Sequence, residues 1–112
     1  MTVYKKWNLA TINMDIEACT KLLHQDYTFV RHQSNSNVSR NEWISMASGM
    51  FDAMKEGKMK LISSRCIYEN QDILVHHDVI SFPDDTKEAI MVVHKLENGK
   101  IIKTETGASP IK

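Results

Sequence analysis

The sequence predicts an α+β fold in which three N-terminal helices cover one face of a curved antiparallel sheet. Three observations predict it. Residues 73–82 and 89–96 are β-branched and apolar on either side of the turn-rich Pro83-Asp84-Asp85-Thr86, which is a hairpin pattern. A further strand returns over residues 100–106 after Asn98-Gly99, a pair suited to a type I′ turn because both central residues need positive φ. Upstream, Ser39-Arg40-Asn41-Glu42 is a capping box that opens a long amphipathic helix.

In chain order, Val3, Trp7, Ala10 and Met14 recur at helical spacing and form one face of a first helix. Asn13 or Asp15 can cap a second helix from residue 16 to about residue 25, with Ile16, Cys19, Leu22 and Leu23 as its apolar stripe. Residues 27–32 switch to β-formers, and the polar run 33–37 has the composition of a loop. In the third helix Trp43, Met46, Ala47, Met50 and Met54 share a stripe, and Gly57 supplies the left-handed stop. The expectation is that Trp43 packs inward with Met46 and Met50. A strand over residues 59–68 then turns through Glu69-Asn70-Gln71-Asp72 into the hairpin.

The chain has 112 residues, the size of a single domain with one core. Fourteen basic residues balance fourteen acidic ones, and no basic run interleaves with aromatics, so a nucleic-acid or anionic-membrane footprint is absent. No apolar run is long enough for a membrane span, and the default location is the cytoplasm. Cys19 and Cys66 lack the spacing of a metal or redox motif and read as buried free thiols. His24 and His32 have no further ligands at a recognisable spacing, so neither a metal nor a cofactor is expected.

Residues 15–30 (DIEACTKLLHQDYTFV) and 97–102 (ENGKII) carry a resemblance that spans nearly the whole chain. The first is similar to the second helix and first strand of the nuclear transport factor 2-like superfamily, and the second to its Asp-Gly-Lys-Ile hairpin. The chain resembles in particular the SnoaL-like and ketosteroid isomerase-like branch. This implies a cone-shaped, cystatin-like fold whose open end holds a small molecule and whose outer sheet face pairs with a second subunit. In the isomerase branch a carboxylate base stands where this chain has Arg31, a buried acid at about Val93 and a tyrosine at about Ala10. The isomerase chemistry therefore does not carry over.

Alternation along a strand puts His76 and His77 on opposite faces. A three-residue loop at Pro83-Asp84-Asp85 pairs His77 with Met91, and the two-residue turn at Asn98-Gly99 then pairs Val93 with Thr104 and Met91 with Thr106. If that face is the inner one, Arg31, His77, Thr104 and Thr106 line the cone. A two-residue loop would shift the register and bring His76 and Asp78 inward instead. The favoured site is His77 as general acid or base, with Arg31, Thr104, Thr106 and Trp43 binding the ligand. His94, Ile90, Val92, Leu96 and Ile101 would then form an apolar outer face suited to a homodimer. Two functions fit. One is a cofactor-independent isomerase, cyclase or lyase acting on a small organic anion or enolisable carbonyl compound. The other is a non-catalytic ligand-binding or dimerisation module.

Overall fold

The computed structural model describes residues Met1–Lys112. Helix α1 (Val3–Ile12) starts at Thr2, whose side chain accepts from the Lys5 amide, and α2 (Ile16–Leu22) starts at Asp15, which accepts from Ala18. The Glu69 carboxylate also accepts from the amides of Val3 and Tyr4, at 3.1 and 3.3 Å, tying the start of α1 to the sheet. An acidic group suits this position because the first turn of a helix has free N–H donors.

Strands β1 (Leu23–Arg31) and β2 (Ser36–Ser39) precede helix α3 (Arg40–Lys55), and β3 (Lys60–Glu69), β4 (Ile73–Ser81), β5 (Lys87–Glu97) and β6 (Lys100–Ile111) follow it. Ser39 and Glu42 form the reciprocal capping box. Past the other end of α3, Gly57 has φ +76°, and the Gly57 and Lys58 amides bond back to Met54 and Ala53 in a Schellman-type closure. The six strands form one open sheet in the order β2-β1-β6-β5-β4-β3. It is antiparallel except between β1 and β6, which run parallel, so the sheet is mixed. The connection between those two strands contains α3 and a strand meander, long enough for parallel neighbours.

Several boundaries differ from expectation for tertiary reasons. Helix α2 stops at Leu22 because Leu23 enters the sheet opposite Ile101 and joins the core with Tyr27, Leu74 and Leu96. The polar run 33–37 contains a single 3-10 turn and the start of β2, an edge strand where polar residues are tolerated and discourage further pairing. Strand β6 extends to Ile111, and its Pro110 lies beyond Thr106, the last residue paired with β1. A proline fits there because its missing N–H faces no neighbouring strand. Cys19 is buried, whereas Cys66 is exposed on edge strand β3.

Both hairpins turn as expected, but the ladders differ. Phe82 N–H bonds to Thr86 O at 2.8 Å and Asp85 has φ 65°, so the β4–β5 loop has three residues and His77 pairs with Met91. Asn98 and Gly99 both have positive φ. Between β5 and β6, Leu96 pairs with Ile101 but Lys95 pairs with Lys103. Ile102 is thus the extra residue of a bulge. It places Thr104 opposite His94 and Thr106 opposite Val92, one residue away from the regular pairing.

The face that meets the helices is also the opposite of the favoured one. Leu74, His76, Val92, His94, Leu96 and Ile101 are buried, while Met91 is exposed and His77, Val75 and Val93 are half-buried on the other side. His94 and Val92 are covered within a single chain and form no outer docking face. Both rows are rich in β-branched residues, so alternation alone does not choose between them. Leu74, Leu96 and Ile101 decide it by closing over Leu23 and Tyr27 in one apolar cluster.

Candidate functional site

The concave side of the sheet is only partly filled. Ala10, Cys19 and Phe51 form a small cluster between helices, Leu23 and its neighbours form another, and beside them lies a cavity of about 510 Å³. That volume is within the usual range for a small-molecule pocket. Helix α3 contributes Trp43, Met46, Met50 and Met54, α1 contributes Trp7, and the sheet contributes Phe29, Ile80, Ile90 and Val92. Met46 and Met50 are substantially exposed, so the methionine stripe is a cavity wall and not a sealed core. Trp43 is half-buried, stacked obliquely on Trp7 and edge-on to Tyr27, with ring centroids 5.6 and 5.7 Å apart.

Polar groups on this apolar wall are few and placed by strand alternation. Tyr27 and Arg31 share the inner face of β1, and Thr104 and Thr106 sit beside Phe29 and Arg31 on β6. Arg31 lines the cavity and makes no ion pair or side-chain hydrogen bond inside the protein. His77 is not on the cavity wall. Its neighbours in the chain, His76 and Asp78, are.

His76 and Asp78 belong to a continuous chain of hydrogen bonds. The Tyr4 hydroxyl meets Ser64 Oγ at 2.8 Å, and Ser64 donates to Asp78 Oδ1 at 2.7 Å. His76 Nδ1 is 2.9 Å from the same Asp78 oxygen, His76 Nε2 is 2.9 Å from His94 Nε2, and His94 Nδ1 is 2.8 Å from Thr104 Oγ1. The two imidazoles lie 28° from coplanar with centroids 5.0 Å apart. With nitrogens in direct contact, this is an edge-to-edge hydrogen bond and not ring stacking.

Burial, and after it the charge that His76 can carry, holds His94 well below the ordinary imidazole range, so His94 is neutral near pH 7. Asp78 is the more accessible end, with its side chain 16% exposed against 2% for His76. Both protein hydrogen bonds to Asp78 reach Oδ1, leaving Oδ2 without a protein donor. At the other end Tyr27 Oη is buried with no hydrogen-bond partner. Burial pushes its phenol up, with the nearby Thr104 hydroxyl opposing slightly although it is not placed to bond Tyr27. No group of three or more His, Cys, Asp or Glu side chains is arranged to hold a metal ion.

No protein-family model and no curated protein matches the sequence. Solved structures do match over almost the whole chain. A candidate ketosteroid isomerase from Kribbella flavida superposes with a TM-score of 0.78 at 12% identity, covering 98% of this chain and 77% of that one. A protein of unknown function with a cystatin-like fold from Xanthomonas campestris gives 0.77 at 14% identity, covering 97% and 92%. IdmH from Streptomyces antibioticus, a candidate polyketide cyclase, gives 0.73 at 12% identity, covering 96% and 89%. This chain has the nuclear transport factor 2-like fold. Identities this low make the likeness one of shape, and the fold hosts differing chemistries.

Within this nuclear transport factor 2-like cone, Arg31, Thr104, Thr106 and Trp43 share one cavity and His77 lies outside it. Thr104 and Thr106 face inward by way of the Ile102 bulge and not by the regular pairing. Tyr27 and His94 were not singled out as a site by sequence reasoning, and His76 and Asp78 entered it only as the alternative to His77. The available signal was the parity of Leu74, His76 and Asp78 with Val92 and His94, two histidines and an acid in otherwise apolar rows.

Proposed function

We propose that the cavity binds a small organic anion with a largely apolar body, and that Asp78, oriented by His76 and Ser64, acts on it as a general base without a cofactor. Arg31 supplies the counter-charge, and Thr106 lies beside it. The reaction class is proton abstraction next to a carbonyl, as an isomerase, cyclase or lyase requires. His76 and Asp78 take the role that alternation had assigned to His77. The observation that carries this reading is the convergence of an arginine without an ion pair and a half-free Asp78 carboxylate on a mostly apolar cavity, whose other acid, Glu88, accepts a hydrogen bond from Gln33. A charge in such surroundings is costly without a partner, and a ligand carboxylate or enolate provides one.

Thermal-shift screening with aryl-substituted acids that carry a hydrogen next to a carbonyl, such as arylpyruvates, is the test. Binding raises the melting temperature by preferring the folded state, by an amount worth about 2.7 kcal/mol at a ligand concentration of 100 Kd. Arg31→Met should remove that rise while the protein stays folded. A rise that survives in Arg31→Met overturns the assignment. A bound acid with no exchange of its α-hydrogen for deuterium supports the second reading, a binding module without turnover. The outer face, with Tyr68, Val75, Val79, Met91 and Val93, supports pairing with a second copy of the chain, since Tyr68 and Met91 are exposed in the single chain.

A further inference from the structure

The hydrogen-bond chain has a direction that its chemistry dictates. An ionised Asp78 only accepts, so His76 donates to it through Nδ1–H. With each ring neutral, His76 Nε2 is bare and must accept from His94 Nε2–H. His94 Nδ1 is then bare and accepts from the Thr104 hydroxyl. This uses the only proton of Thr104, which offers lone pairs alone to anything else it meets. Near it Tyr27 has the opposite problem, a buried hydroxyl with no partner. Both residues line the cavity.

We propose that Tyr27 and Thr104 together read a hydroxyl on the ligand, Tyr27 donating to its oxygen and Thr104 accepting its proton, so that the ligand is a hydroxy acid or enol acid. This rests on the reading of Arg31 as the carboxylate partner. A carbonyl oxygen would satisfy Tyr27 but would face Thr104 lone pair to lone pair, whereas a hydroxyl satisfies both. The chain also gives that hydroxyl's proton a route. Thr104 takes it as its own proton moves to His94 Nδ1, and the His94 Nε2 proton moves to His76 Nε2. One ligand O–H bond breaks and its electron pair stays on oxygen, which Tyr27 O–H holds. The proton is stored on His76 as an imidazolium beside the Asp78 carboxylate, and no further reactant is needed.

Two measurements on the full chain test this. Nitrogen-15 NMR near neutral pH should find the proton of His94 on Nε2 and that of His76 on Nδ1. A proton on His94 Nδ1 makes Thr104 the acceptor of that bond, frees its hydroxyl proton for the cavity and overturns the proposal without any ligand. Affinities for cinnamate and for its ortho, meta and para hydroxy derivatives are then compared. At least one hydroxy acid should bind about tenfold to a hundredfold more tightly than cinnamate, the scale of an unpaired buried hydroxyl becoming paired. Tyr27→Phe should erase that preference and keep or raise the melting temperature, because the lost hydroxyl had no partner. A fall in melting temperature, or a hydroxyl preference that persists, overturns it. Cinnamate bound through Arg31 with no preference among the hydroxy acids removes this inference alone, and failure of every acid to bind removes the anion site as well.

Discussion

At the scale of single residues, His94 is the group whose protonation the fold opposes most strongly. Its pKa is held well below 6.5 by burial and then by His76, so the unfolded chain binds a proton that the folded chain refuses. The sign follows from linkage: the neutral form's full contribution is present above the unfolded pKa, and stability falls as pH drops below about 6.5 toward the depressed folded value. The slope from this one group is at most about 1.4 kcal/mol per pH unit. Urea denaturation at a series of pH values should show it, and His94→Gln should flatten that part of the profile while lowering stability at neutral pH. An unchanged profile in the variant would mean that another group controls acid sensitivity. Asp78→Asn belongs to the same scale. It should leave carboxylate binding through Arg31 in place and abolish α-hydrogen exchange, because an amide has no basicity near pH 7.

At the scale of elements, α3 combines a legible start with a face that only its neighbours define. The Ser39–Glu42 box satisfies two opening amides, so Ser39→Ala should cost about 1 kcal/mol in chemical denaturation. Trp43 on the same helix is a different case. Its stripe suggested a buried side chain, for which truncation to alanine costs about 3–5 kcal/mol. The indole is only half-buried at the wall of an open cavity. Trp43→Ala should therefore cost less, about 1–3 kcal/mol, and should weaken ligand binding by enlarging the cavity. A cost at the top of the core range would show the cavity closed over Trp43. The β5–β6 hairpin shows the same division: Asn98-Gly99 announces its turn, yet the extra residue at Ile102 that turns Thr104 inward has no composition signal of its own.

At the scale of the whole molecule, the open sheet has a filled end, a cavity beside it and an outer face that no element of the chain covers. No helix is long and apolar enough to cross a membrane. A second copy on the outer face would bury roughly 1,200 Å² or more in total if the pair is stable at micromolar concentration. Sedimentation velocity should then report a dimer, and Met91→Lys should dissociate it without altering the fold. A monomer at that concentration removes the pairing and leaves the cavity argument untouched, because every group of the candidate site belongs to one chain.

Local chemistry made the α+β class, the capping box, both tight turns and the β4–β5 register legible, since each depends on a few adjacent residues with particular dihedral or capping requirements. Alternation also showed that His76 and His77 must part company, and which residues each would join. It could not choose the inner row, because both rows of the hairpin are apolar and the choice depends on how Leu74, Leu96 and Ile101 close over Leu23 and Tyr27 from distant parts of the chain. The parallel pairing of β1 with β6 and the Ile102 bulge are likewise settled by long-range contacts. Tertiary structure therefore decided which groups meet at the cavity: His76 and not His77, its link through His94 to Thr104, and an unpartnered Tyr27 beside them. Hydrogen bonds between residues 10 to 18 positions apart exist only once the strands are in register, and no single stretch of sequence encodes them.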